Sequence, residues 1–272
     1  MGLGCVALLT DYGRRDGFVA ACHGVIARIA PAARVIDVTH DIPPQDIRHG
    51  AAVLAQTVPY LPPAVIVGVV DPGVGTPRRA VAIGAGESVL VGPDNGLLVW
   101  AAAALGGPDA AVELTAERYH LPAGSATFAG RDVFAPVAAH LFAGTPLAEL
   151  GPAADDLVTL PAPVVSAERG ELRTEVLVVD HFGNVQLAAR SVDLEAAGFT
   201  SGTVTLALPG RTAPALRGTT FADVPAGEPV LYVDAAGHAA LAVNRGDAAA
   251  ALSLAPGDPV TVTATTAPTK RW

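Results

Sequence analysis

Lysine is almost absent from this chain: Lys270 is the only one, and basic residues number 17 against 26 acidic ones, for a formal net charge of −9. No Lys/Arg stripe is present, so the phosphate-neutralising footprint of a nucleic-acid binder is missing. The acidic excess is scattered and speaks to solubility rather than to a partner. Cysteine is equally scarce. Cys5 and Cys22 are the only two, too few for a disulfide framework or a zinc cluster, and Cys5, inside an apolar run, reads as a packing residue. No run approaches the roughly 20 apolar residues that span a bilayer. The opening MGLGCVALLTDYG lacks the basic start of a signal peptide, and Val6 stands where a myristoylation signal needs Ser or Thr. A soluble cytoplasmic protein with no membrane partner is expected.

The chain does have the means to build a core. Its 272 residues are 51% hydrophobic and 16% charged, a globular composition with room for one large domain or two modest ones. The first half alternates strand-like and helix-like segments. Val6 to Thr10 is a buried-strand pattern ending at Asp11-Tyr12-Gly13, and Phe18 to Ile29 follows with helical spacing before Pro31. Val35 to Val38 and Val65 to Val70 read as strands, and Ile47 to Val58, Leu97 to Ala104 and Arg131 to Phe142 as helices. Ala80 to Ile83 and Ser88 to Val91 read as a strand pair. This alternation predicts an α/β domain on a largely parallel sheet over residues 1–160. Leu160-Pro161-Ala162-Pro163 reads as a linker. Beyond it come short strands between turns, at Glu175 to Val179, Thr203 to Leu208, Val230 to Val233, Ala239 to Val243 and Pro259 to Thr263. They predict a smaller all-β, barrel-like domain over residues 170–272.

Open α/β sheets bind ligands at the carboxyl ends of their strands, and in this chain those ends are acidic. Asp11 ends the first strand, with Asp16 five residues on; Asp71 ends the run at Val65 to Val70; Asp180 ends a strand of the second half. An aspartate there also caps helices and forms turns, but several together suit a shared polar ligand. The sharpest segment is Val70-Asp71-Pro72-Gly73-Val74-Gly75-Thr76-Pro77-Arg78-Arg79. Its tight loop can return Arg78 to Asp71, and a carboxylate oriented by a guanidinium can position a water; the plain alternative is an ion pair tying the loop. Other chemistries lack their signatures. His40-Asp41 and His49 form no metal pattern, and no metal or cofactor is expected. There is no Gly-x-Ser-x-Gly elbow, dinucleotide fingerprint or Walker loop.

Seven segments in order resemble the S-adenosyl-L-methionine (SAM) hydroxide adenosyltransferases, the SAM hydrolases related to fluorinases and chlorinases. They are Leu9-Thr10-Asp11-Tyr12-Gly13 with Asp16, Asp37 to Pro44, Val70 to Thr76, Gly92 to Leu98, Thr127 to Asp132, Asp180 to Asn184, and Val243 to Gly246. The resemblance spans nearly the whole chain. It implies an α/β domain, a β-barrel and a homotrimer whose substrate lies between one subunit's first domain and a neighbour's second. It also implies roles: Asp11 on the ribose hydroxyls with Asp16 in support, Asn184 on adenine beside Phe182, and Asp180 on the methionine ammonium. Arg245 belongs to the same implied substrate-binding set. Thr127, Phe128, Ala129 and Gly130 would line the nucleophile pocket, with Asp71 and Arg78 handling water.

Two positions depart from the family pattern. Ala129 replaces the histidine that completes the water-handling set, which would cost about 10²-fold if that imidazole works in acid–base catalysis. Ala235 replaces a serine near the methionine carboxylate. The expected reaction is hydrolysis of SAM to adenosine and L-methionine. Two alternatives stand beside it: a halide-dependent SAM adenosyltransferase, since Ala129 leaves room for chloride, and a SAM- or adenosine-binding protein weakened in turnover. Asp71 opposes the first, because its charge beside an incoming anion is unfavourable in a dry pocket.

Overall fold

The computed structural model describes residues 2–122 and 126–265; Lys270 and the end of the expected barrel domain lie outside them. The chain divides into two compact units, Met1–Leu160 and Pro161–Trp272.

The first unit is built on a six-stranded sheet in the order β2-β1-β3-β5-β4-β6. Its strands are β1 (Cys5–Thr10), β2 (Val35–Thr39), β3 (Ala64–Val69), β4 (Ala80–Ala85), β5 (Ser88–Pro93) and β6 (Ala110–Glu113). β1 and β3 are buried along their whole length, because helices cover both faces. Their alternating side chains feed two cores. Val6, Leu8, Val65 and Val67 pack under α1 (Phe18–Ile29) and α4 (Ala135–Phe142), whereas Cys5, Ala7, Leu9 and Ile66 pack under α2 (Ile47–Thr57) and α3 (Val99–Ala104). The period-two geometry of a strand thus explains why these runs read as continuous apolar stretches. Helix starts follow local chemistry: the Asp46 carboxylate accepts the His49 backbone N–H at 2.9 Å and caps α2.

The sheet is mixed, which corrects the expectation of a largely parallel one. β2, β1, β3 and β5 pair in parallel, but β4 pairs antiparallel with β5 and β6 antiparallel with β4. The physical reason is the tight Gly86-Glu87 turn between β4 and β5, with Gly86 at φ +56°. A connection that short permits only antiparallel neighbours.

The second unit forms a closed seven-stranded barrel, with strands β8 (Glu171–Val179), β14 (Pro259–Ala264), β10 (Gly202–Leu208), β11 (Arg211–Arg217), β12 (Pro229–Val233), β13 (His238–Val243) and β9 (Val185–Arg190). The β14–β8 pairing closes it, and β7 (Val165–Glu168) extends the sheet from β8. Closure removes the exposed strand edges that an open antiparallel sheet leaves. Leu172, Val185, Leu187, Leu206, Leu231, Leu241 and Val262 fill the interior, with α5 (Ser191–Ala196) and α6 (Ala248–Leu252) contributing Leu194 and Leu252. Among the described residues no helix is long and apolar enough to cross a membrane.

Candidate active site

Two strand ends of the first unit meet at a small cavity of about 60 Å³ lined by Asp11, Tyr12, Val69, Asp71, Val74, Thr127, Ala129 and Gly130. β1 delivers Asp11 and Tyr12, and β3 delivers Val69 and Asp71. The neighbours are fixed by parallel register, which pairs Thr10 with Val69. β3 is fully apolar and β1 is apolar up to the buried Thr10, and each is followed within two residues by a carboxylate at the cavity wall. A cavity of this size holds more than one water, since one probe sphere needs about 10–15 Å³, but not a nucleoside.

Asp71 is held by a fork. Arg78 Nε donates to its Oδ1 and Oδ2 at 2.9 and 3.0 Å, and Nη2 donates to Oδ2 at 2.5 Å. The loop between them builds this approach. Val74 N–H reaches Asp71 O at 3.2 Å, Thr76 N–H reaches Gly73 O at 3.1 Å, and Gly75 takes φ +80°, a left-handed conformation that glycine adopts without penalty. The Asn95 amide fixes the strand end by donating to Val70 O at 2.8 Å. The Asp71 side chain is only 6% exposed and that of Arg78 17%, and the guanidinium lies 5.4 Å from the centre of the buried Phe134 ring. Screening by solvent is therefore weak, and geometry this close is worth more than a surface pair.

Asp11 is oriented from the other side. Its Oδ2 accepts the Gln45 backbone N–H at 2.9 Å, made possible by the left-handed Gln45 at φ 67°. Tyr12 and Val74 line the cavity although the sequence assigns them no role beyond their motifs. The Tyr12 ring packs edge-on against Phe128 at 5.7 Å and near Phe18 at 5.9 Å. Burial pushes its hydroxyl well above the ordinary range, with the Cys22 thiol and the Asp11 and Asp71 carboxylates reinforcing this and Arg78 opposing it. Tyr12 is a neutral phenol beside two carboxylates. The Thr127–Gly130 turn closes the cavity and leads into a single π-helical turn, Gly130–Phe134, before α4. Such turns recur at functional sites because they re-aim side chains.

Of the residues expected in the first unit, Asp11, Asp71, Thr127, Ala129 and Gly130 line one cavity, and Arg78 reaches it through Asp71. Phe128 stands behind it in the aromatic cluster, with Arg131 over its ring at 4.9 Å. Asp16 is exposed on the loop before α1 and is not among the lining residues. Burial pushes the thiol of Cys22 up to about 12 and raises that of Cys5, so neither is a thiolate nucleophile at neutral pH.

In the second unit, Asp180, Phe182 and Asn184 share the β8–β9 loop. Asp180 Oδ1 accepts the backbone N–H groups of Phe182 and Asn184 at 2.8 and 2.9 Å, and Oδ2 accepts the Asn184 side-chain amide at 2.8 Å. Asp180 thus folds its own turn while remaining exposed. Phe182 is 76% exposed, an unusual cost for a large aromatic and a ready platform for a planar ring. Arg245 is exposed at a left-handed φ of 58° in the turn after β13.

Family models for the N-terminal and C-terminal domains of SAM hydroxide adenosyltransferases match residues 6–151 and 174–261. The chain belongs to the SAM hydroxide adenosyltransferase family. An (R)-S-adenosyl-L-methionine hydrolase of Salinispora arenicola is 59% identical over 261 residues, covering 95% of this chain and 97% of that one. Fluorinases are more distant members of the same group: that of an Actinoplanes species is 30% identical over 296 residues, covering 95% of this chain and 97% of its own. An uncharacterized conserved protein of Thermotoga maritima has the same fold, with a TM-score of 0.90 at 34% identity over 95% of this chain and 99% of that one. Within this adenosyltransferase chain, the cavity between the ends of β1 and β3 brings together most of the residues expected in its first unit.

Proposed function

We propose that this protein hydrolyses S-adenosyl-L-methionine to adenosine and L-methionine by in-line attack of water on the ribose 5′-carbon. The observation that carries the reading is Asp71, gripped by Arg78, on the wall of a water-sized cavity beside Asp11. The substrate is a sulfonium. Its leaving group departs as a neutral thioether and needs no acid, so the reaction calls for an oriented oxygen nucleophile and nothing from a cofactor. Asp71 accepts a hydrogen bond from the water and takes its proton as the carbon–oxygen bond forms and the carbon–sulfur bond breaks. Arg78 stops the carboxylate from rotating away. Asp11, with one oxygen on the Gln45 N–H, keeps its other oxygen for the ribose hydroxyls.

Ala129 offers no polar atom, so water activation rests on Asp71, and turnover is slower than with an imidazole at that position. Halide transfer is the weaker reading, because Asp71 puts a fixed negative charge on the cavity wall. The working assembly is a cytoplasmic homotrimer, in which a neighbour's Asp180, Phe182, Asn184 and Arg245 complete the substrate contacts.

Incubation with SAM in halide-free, ¹⁸O-labelled water tests the proposal. Equal amounts of methionine and adenosine, the latter labelled at the 5′-oxygen, are expected. Intact SAM binding with no adenosine above the blank would leave a binding protein, and 5′-halo-adenosine on adding chloride would favour the transferase reading. Light scattering checks the trimer.

A further inference from the structure

The fold brings a helix side chain to two others that lie three residues apart at a strand end. His23 lies on α1, Asp37 on β2, and His40 just after β2. Asp37 Oδ1 is 2.8 Å from His23 Nε2 and 3.0 Å from His40 Nε2. One donor atom from each of the three falls within 4.8 Å of the others. We propose that His23, Asp37 and His40 form a binding site for a divalent transition-metal ion of the zinc class.

His40 carries the argument. It is 2% exposed, and its Nδ1 is engaged by Thr10 Oγ1 at 2.8 Å. Its Nε2 is buried without a properly directed hydrogen bond. The Asp37 oxygen 3.0 Å away makes an ion-pair contact with that nitrogen without hydrogen-bond geometry, and the same oxygen is hydrogen-bonded to His23 Nε2 at 2.8 Å. A buried imidazole nitrogen with its other nitrogen fixed by a hydroxyl is the arrangement that orients a metal-binding histidine. A ring nitrogen left unsatisfied at that depth has a cost that an ion removes.

The ligand chemistry agrees. Two imidazoles and one carboxylate suit zinc and its neighbours in the first transition row, and three protein ligands leave a position for water. With bonds of about 2.0–2.1 Å, adjacent donor atoms lie about 3–3.4 Å apart; the two histidine–aspartate separations of 2.8 and 3.0 Å are close to this, and the two imidazole nitrogens lie within 4.8 Å of each other. His23 and Asp37 side chains are 35% and 40% exposed, which leaves a path for entry. The sequence hides the site because His23, on a helix, lies 14 residues before Asp37, and Asp37 and His40 alone make no metal-binding pattern.

The ion would clip α1 to the loop after β2. That loop carries His40 O, which accepts the Gly13 N–H at 2.8 Å, and Gln45, whose N–H holds Asp11. The proposed role is therefore structural, and it stands whether or not the hydrolase reading holds.

Zinc titration of the full-length chain, free of any affinity tag and first stripped with chelator, tests the site. Competition with a chromophoric zinc chelator should show one ion bound per chain and a melting temperature raised by several degrees. His23→Ala and Asp37→Asn, at half-exposed positions that leave the cores intact, should each weaken binding by tenfold or more and abolish the thermal shift. Replacing the exposed His181 with Ala should change neither readout. Absence of saturable one-to-one binding, or undiminished binding in folded His23→Ala and Asp37→Asn, would overturn the proposal.

Discussion

The Tyr12 hydroxyl occupies the place where a side chain on Gly130 would begin: a Cβ built there falls 2.0 Å from the oxygen and 3.0 Å from the ring carbon that bears it. Two loops from opposite ends of the first unit's sequence are thus locked together at the cavity wall. Gly130→Ala must displace the tyrosine, at about 1–3 kcal/mol of stability, and should lower turnover by reshaping the cavity. Tyr12→Phe in the same chain removes the oxygen but leaves ring contacts of 3.0–3.2 Å, so it should rescue only part of the loss. Thermal melts of the two single variants and the double variant measure this coupling; strict additivity would mean the two residues do not interact.

The Asp71–Arg78 fork separates chemistry from stability. Arg78→Met leaves a carboxylate that is 6% exposed without its partner, and breaking a buried pair from one side costs about 3–5 kcal/mol. Arg78→Lys keeps the charge but cannot reproduce the contact of Nε and Nη2 to both oxygens. We expect the lysine variant to retain most of the stability and to lose kcat more than it raises KM. Equal losses of stability in the two variants would show that the planar fork, rather than the charge, holds the loop.

The barrel should be sensitive to acid through His238. This residue is 6% exposed, and its Nδ1 donates to Leu187 O at 3.0 Å. Burial, aided by Arg190 and opposed by Asp234 and nearby carbonyls, lowers its pKa from the ordinary 6.5. The unfolded chain therefore takes up a proton first as pH falls below about 6.5, and the folded one resists. Stability contributed by this site is flat above that pH and declines below it, by at most about 1.4 kcal/mol per pH unit for one proton. Urea melts of wild type and His238→Gln between pH 7.5 and 5 should converge in slope above 6.5 and diverge below it, with the variant less steep.

Strand-end acids were legible in the sequence because short buried runs stop at Asp11 and Asp71 before Gly- and Pro-rich turns. Strand direction is not carried by hydrophobic periodicity, which is the same for parallel and antiparallel neighbours; for β4 it follows from the short turn to β5, whereas the antiparallel β6 emerges only from tertiary pairing. β11 escaped notice for a different reason. Its inward residues, Ala213 and Ala215, are small, and Pro214 between them demotes a strand signal. The Asp71–Arg78 pairing followed from loop chemistry over seven residues. The Tyr12–Gly130 contact and the approach of His23 to Asp37 and His40 join separate elements, and no local pattern encodes them.

Ala129 is the position where water activation can be tested directly. It lines the cavity with Asp71 and Thr127 but contributes only a methyl group. If Asp71 alone orients the water, Asp71→Ala should remove adenosine release to the background, a loss of about 10²–10⁴-fold for a general base. Ala129→His should then raise turnover, because an imidazole gives the water a second fixed partner and narrows the range of attack angles. The gain should fall on the chemical step and leave KM nearly unchanged, since the contacts proposed for Asp11 and the β8–β9 loop are untouched. The opposing force is steric. The imidazole must enter a cavity of about 60 Å³ that already has Tyr12 against Gly130, and overpacking would lower stability by about 1–3 kcal/mol. Single-turnover rates and melting temperatures distinguish the two effects. A faster chemical step at an unchanged melting temperature places the imidazole on the water. A slower step with a lower melting temperature means the wall has closed around Ala129, and full hydrolysis by Asp71→Ala would remove that carboxylate from the mechanism.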